Sequence, residues 1–218
     1  MEVIKFLIDF VLHIDVHLSE IITNYNTWTY LILFLIIFCE TGLVVTPFLP
    51  GDSLLFAAGT FAALGVLSIW GLLGAMFTAA ILGDNCNFTI GTFLGQKVYE
   101  KDYKLIKRKY LDKTHSFYEK HGGKTLIIAR FMPIIRTFAP FVAGVGSMKY
   151  TRFLTFCLAG NLLWVNLFLW AGYLFAHNEF VKNNFSLVVF AIIFISVIPP
   201  VYTVLINWWK SRKEKSLS

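Results

Sequence analysis

Twice along this chain an apolar run is broken by proline and by ionisable side chains: Glu40 and Asp52 flank Pro47 and Pro50, and Arg130 and Arg136 flank Pro133. A charge at bilayer depth costs about 2.5 to 3.5 kcal/mol on insertion scales, so it is retained for function or as half of an ion pair. Proline removes a backbone donor and breaks a helix. Both interruptions predict short helices that stop inside the apolar layer, and their opposite signs suit a pairing between them.

Composition assigns the solvent. With 57% hydrophobic residues, 17% aromatics and a mean hydropathy of +0.67, the 218-residue chain reads as one polytopic, all-α membrane domain. Cys39, Cys86 and Cys157 stand singly without C-x-x-C spacing, which predicts small apolar side chains and neither disulfides nor a metal site. The basic excess is concentrated at Lys97 to Lys124, with nine Lys and Arg against four acids, and in the tail from Lys210. By the positive-inside rule both segments are expected in the cytoplasm, the first in contact with anionic headgroups; nucleic-acid binding is not expected.

Residues 1–24 carry polar side chains at Glu2, Lys5, Asp9, His13, His17 and Glu20, the stripe of an amphipathic helix and not of a cleaved signal. His13 and His17 lack an obvious third metal ligand. Residues 28–64 predict a first helical hairpin: about a dozen apolar positions before Glu40, a turn through Pro47, Pro50 and Gly51, then a small-residue helix capped by Asp52 or Ser53. A spanning helix is expected over 66–95, where Gly83, Asn87, Gly91 and Gly95 recur every fourth residue beside Asp84. Such a ridge admits a close helix contact within or between chains, leaving homo-oligomerisation open, and Asp84 and Asn87 are candidate cavity-lining residues.

A basic linker (96–124) leads to a second hairpin at 125–148, interrupted by Arg130, Pro133, Arg136, Pro140, Gly144 and Gly146. Spanning helices are expected over 152–176 and 185–209, the last anchored by Trp208 and Trp209, before a cytoplasmic tail at 210–218. Counting crossings back from a cytoplasmic C-terminus makes the hairpins enter from opposite faces. The expected fold is two oppositely oriented re-entrant hairpins among about three spanning helices, the inverted-repeat pattern of transporters with a midplane site.

Three runs in this order resemble the DedA family, also called SNARE-associated or VTT-domain proteins: E-T-G-L-V-V-T-P-F-L-P-G-D from Glu40, G-D-N-C-N-F-T-I-G-T-F-L-G from Gly83, and A-R-F-M-P-I-I-R-T-F-A-P-F-V-A-G from Ala129. The flanking Tyr110 to Lys124 resembles the founding Gram-negative branch. The resemblance implies a bacterial inner-membrane protein moving phosphate-bearing lipids such as undecaprenyl phosphate or phosphatidylethanolamine. It places a functional acidic pair on Glu40 and Asp52 and an arginine pair on Arg130 and Arg136. Phe88 departs from it, standing where many relatives carry tyrosine.

An arginine presents a planar fork that grips phosphate bidentately and does not deprotonate. Arg130 and Arg136 are thus expected to bind the headgroup while the tail stays in lipid, and Glu40 and Asp52 either couple protons or form fixed salt bridges. Two other classes compete: a proton- or cation-coupled antiporter of small solutes, and a membrane scaffold supporting the envelope. An enzyme is not expected, since G-x-S-x-G, H-E-x-x-H and P-loop spacings are all missing, and no cofactor is implied.

Overall fold

Among the described residues, Pro133 and Gly65 stand at breaks between helices. The computed structural model describes residues 27–43, 51–100, 123–185, 187–188 and 191–192. The expected 1–24 helix, Pro47 and Pro50, most of the basic linker, most of the 185–209 helix and the 210–218 tail lie outside the described residues. The helices are α1 (Trp28–Gly42), α2 (Gly51–Ala63), α3 (Ile69–Glu100), α4 (Lys124–Ala129), α5 (Pro133–Val145), α6 (Tyr150–Phe175) and the short α7 (Glu179–Asn183).

Two of them are long and apolar enough to cross a membrane, Ile69–Gly95 within α3 and Tyr150–Phe175. At 1.5 Å per residue each exceeds the ~30 Å of hydrocarbon, whereas α1, α2 and α5 reach only about 20 Å. Several polar side chains on the long helices are satisfied locally: Thr78, Asn85, Thr89 and Thr92 donate to carbonyls four residues back, as Asn166 does on α6.

The breaks have local causes. Pro133 pushes Met132 into an extended conformation (φ −118°, ψ 106°), ending the α4 path and leaving proline at the first turn of α5, where its missing N–H costs nothing. Beyond α2, Gly65 (φ 78°) takes the left-handed conformation, with Val66 donating to Phe61 and Gly65 to Ala62, the paired bonds of a Schellman stop. The same pattern closes α5, where Ser147 adopts φ 55°, Met148 donates to Ala143 and Ser147 to Gly144.

Three sequence expectations are corrected. Helix α3 begins at Ile69, after the glycine stop, and continues to Glu100, so the linker starts on a helix. Pro140 and Gly144 are not turn residues: α5 runs through both. Gly51 opens α2 rather than turning before it, which puts Asp52 and Ser53 inside the helix, not at its cap.

Neighbouring residues give the directions of α1 to α6. Tyr30 lies beside Gly71 and Gly42 beside Gly83, so α1 and α3 run parallel. Asn87 bonds Thr137 and Gly95 abuts Val145, so α5 runs with them. Trp70 meets Trp170 and Phe88 meets Phe153, which makes α6 antiparallel to α3. Asp52 pairs with Trp164 and Thr60 with Gly172, Gly123 with Phe156 and Ile127 with Gly160, so α2 and α4 follow α6. The triplet α1–α2–α3 is therefore repeated upside down by α4–α5–α6.

Close backbone contacts repeat with it. A Cβ on Gly91 would meet the Phe141 carbonyl and one on Gly172 the Phe56 carbonyl; Gly144 faces the Phe88 carbonyl and Gly59 that of Leu169. Phe56 and Gly59 on α2 correspond to Phe141 and Gly144 on α5, and Phe88 and Gly91 on α3 to Leu169 and Gly172 on α6. The predicted ridge is thus spent within the chain, Gly83 against α1 and Gly91 with Gly95 against α5. Gly91→Ala should lower the thermal unfolding midpoint in detergent, a cost of about 1 to 3 kcal/mol for overpacking. Gly74→Ala, whose Cβ would meet nothing within 4 Å, should leave it unchanged.

Candidate functional site

The four helix ends created by the breaks converge. Glu40 lies in the last turn of α1, Asp52 in the first turn of α2, Arg130 just beyond α4 and Arg136 in the first turn of α5. Glu40 and Asp84 are 0% exposed, Arg136 3%, Arg130 4% and Asp52 6%. Hydrocarbon cannot solvate these charges, so they must solvate one another.

They do so in two clusters. The Arg136 guanidinium donates through Nη2 to Glu40 Oε1 and through Nη1 to Asp52 Oδ1, joining α5 to both α1 and α2. Arg130 donates through Nη2 to Asp84 Oδ2 of α3. The sequence brought the expected four residues into one site, and added Asp84 as the full counterion of Arg130. Asp84 also lines a cavity of about 10 Å³ with Arg130, Arg136 and Cys157, room for about one water.

Other side chains hold the clusters in place. The Gly51 N–H donates to Glu40 Oε1 at 3.3 Å, and a Cβ at Gly51 would fall on the Glu40 carboxylate, so only glycine admits this approach. Trp164 of α6, fully buried, donates through Nε1 to Asp52 Oδ1 at 2.8 Å, while its ring lies 5.0 Å from the Arg136 guanidinium carbon and 6.0 Å from that of Arg130. Asn161 donates to Asp84 Oδ2 at 2.8 Å and the Cys157 thiol to the same oxygen at 2.7 Å.

Two expectations change role. Asn87 is not a lining residue of that cavity: its amide donates to the carbonyls of Thr41 (3.1 Å) and Thr137 (2.6 Å), clasping α1, α3 and α5. Thr137 lies three residues before Pro140, whose missing donor loosens the local ladder. Cys157 is not an inert apolar filler, since it serves Asp84, and Cys86 is exposed. Phe88 stacks on Phe153 at 4.1 Å between centroids, so its ring packs where a hydroxyl would have no role in this contact. Sequence reading missed Cys157, Asn161 and Trp164, although their i, i+4, i+7 spacing places them on one helical face.

Comparison with known proteins identifies relatives of this chain. The model of the VTT domain matches residues 49–174. The chain is 55% identical over 208 residues to Protein DedA of Escherichia coli K12, covering 94% of this chain and 95% of that one. It is 38% identical over 182 residues to an uncharacterized membrane protein of Mycobacterium leprae, with 83% and 80% covered. To the inner membrane protein YghB of Escherichia coli K12 it is 31% identical over 177 residues, covering 81% and 78%. No solved structure matches the chain.

Removing one partner of a buried pair costs about 3 to 5 kcal/mol, because the other charge is stranded, whereas replacing both with apolar groups is often neutral. Arg130→Met should therefore lower the unfolding midpoint in detergent sharply. Adding Asp84→Leu to it should recover most of the loss.

Proposed function

Because the chain belongs to the DedA family of VTT-domain membrane proteins, we propose that it moves a phosphate-bearing lipid across a bacterial inner membrane. The candidate substrates are undecaprenyl phosphate and a phospholipid such as phosphatidylethanolamine. The observation that carries this reading is the pair of buried guanidiniums, Arg130 and Arg136, flanking one helix break and ion-paired to carboxylates from other helices. Guanidinium forks match phosphate as well as carboxylate, so a phosphate can replace the internal acids.

In this reading α1–α2 and α4–α5 are re-entrant hairpins entering from opposite faces, with the 96–124 linker and the C-terminus cytoplasmic. Their short helices and opposed directions support it. The headgroup crosses through the polar centre while its tail remains in lipid, which spares the charge passage through hydrocarbon. Protons are the natural counter-movers. Three buried carboxylates face two guanidiniums among the described residues, so the cluster is neutral only with one proton aboard. Glu40 and Asp52, freed when phosphate takes Arg136, would carry it.

That odd carboxylate also favours a second reading, proton-coupled antiport of a small solute, in which proton flux follows substrate without lipid movement. Headgroup exposure of labelled undecaprenyl phosphate and phosphatidylethanolamine in proteoliposomes separates the two. The native protein should accelerate one lipid, and Arg136→Lys, which keeps the charge but loses the fork, should slow it at least about tenfold. No acceleration by folded protein would reject lipid transport. If the ion pairs only brace the hairpins, the swap Arg130→Asp with Asp84→Arg should restore both folding and transport; the transport reading requires that folding alone return.

A further inference from the structure

The arginines do not hold their carboxylates alone. Asp84 Oδ2 receives three donors, Arg130 Nη2, the Cys157 thiol and the Asn161 amide. Asp52 Oδ1 receives Arg136 Nη1 and the Trp164 indole N–H. Each cradle thus combines one guanidinium with neutral donors from α6. Cys157, Asn161 and Trp164 lie four and three residues apart, on a single face of that helix. A set of donors converging on one oxygen is what an oxyanion needs, whichever molecule supplies it.

Further donor capacity is already aimed at this place. Arg130 Nη1 and Arg136 Nε, both buried, find no hydrogen-bond partner among the described residues, and both arginines line the cavity beside Asp84 and Cys157. Buried donors are rarely left unpaired. The Trp164 ring lies 6.0 and 5.0 Å from the two guanidinium carbons and helps hold their positions. The cavity is too small for a phosphate while Asp84 remains in place.

Resting on the lipid-phosphate reading above, we infer that Cys157, Asn161 and Trp164 are phosphate-coordinating residues. In this structure Asp84 and Asp52 occupy the oxyanion positions that a phosphate's oxygens take when the headgroup binds. Recognition then needs α6 as much as the arginine pair. The neutral donors discriminate by geometry where the arginines supply charge, and the aspartates act as internal competitors for the same donors.

The test uses the full chain in phosphatidylcholine nanodiscs, following the unfolding midpoint as inorganic phosphate is added, and separately in nanodiscs containing undecaprenyl phosphate. Binding to the folded state raises the midpoint with concentration. Trp164→Phe keeps a ring beneath the guanidiniums but deletes the N–H, and Asn161→Leu removes the amide at similar volume. Each should raise the half-saturating phosphate or lipid concentration at least about tenfold, as Arg136→Lys should. Cys157→Ser, which keeps a donor, should bind like the native chain, and Cys157→Val should bind more weakly; this pair decides if the larger variants fail to fold.

A response to undecaprenyl phosphate alone would mean that the tail is needed for entry; a response to both probes would mean that the headgroup oxyanion suffices. In either case Trp164→Phe, Asn161→Leu and Cys157→Val must weaken it, and Cys157→Ser must not. If Arg136→Lys weakens binding while folded Trp164→Phe, Asn161→Leu and Cys157→Val do not, the α6 assignment falls and lipid-phosphate recognition stands. If the native chain responds to neither probe, both fall.

Discussion

The Arg136 guanidinium is the point on which this structure turns. It joins Glu40 at the end of α1 to Asp52 at the start of α2, two helices that otherwise pack on different neighbours, α1 on α3 and α2 on α6. Local electrostatics disfavour two of the three positions. Glu40 sits at the negative end of α1, and Arg136 near the positive end of α5, each beside a helix dipole of its own sign. Neither placement is stable alone in a low-dielectric interior; each is stabilised by the other. Such local conflict concentrates at functional sites, whereas a residue chosen for stability would agree with its helix end.

The inverted repeat explains how the conflict is assembled. Because α4–α5–α6 reproduces α1–α2–α3 in the opposite direction, the break in each triplet is carried to the same depth. Backbone contacts set that depth: Gly91 of α3 against α5 and Gly172 of α6 against α2 admit carbonyls where a Cβ could not fit, so the helices approach closely and in a defined register. The two breaks then face each other with opposite charge. Asn87 adds a polar clasp on one side, and Trp164 does so on the other. Cores this tightly packed resist gradual deformation, which favours discrete rearrangement over continuous opening.

Much of this was legible in the residues, and what was not has physical reasons. Charge inside apolar runs marked Glu40, Asp52, Arg130 and Arg136, since only function or pairing retains it. Pro133 marked the α4–α5 break because it fixes its own φ and disfavours helix in the residue before it. Pro140 misled: α5 runs through it, its missing N–H being the one that would reach the Arg136 carbonyl, and the adjacent Thr137 carbonyl accepts from Asn87 of the neighbouring helix, so the proline marks a contact and not a turn. Gly144 misled likewise, since close packing and turning both select glycine. The pairing of Arg130 with Asp84 was hidden, because spacing along a chain cannot say which of three acids meets which of two arginines. Cys157, Asn161 and Trp164 escaped because each type is ordinary in a membrane helix, and only their common face, read against the acids opposite, gives them meaning.

Under the proposed lipid transport, the excess of carboxylate over guanidinium makes exchange cheaper than addition. A phosphate entering a site whose arginines were unpaired would require those cations to be kept desolvated beforehand, a state that costs several kcal/mol per ion. With Asp84 and Asp52 already in the cradles, both arginines are ion-paired at rest, beside a cavity that admits about one water. Incoming phosphate replaces one oxyanion with another at the same donors, so the number of charged hydrogen bonds is nearly constant through the exchange. The displaced carboxylate alone loses its partner, and protonation removes that cost. The same three acids that make the closed structure stable thereby make its opening dependent on both a phosphate and a proton, which is the requirement for coupling the movement of one to the other.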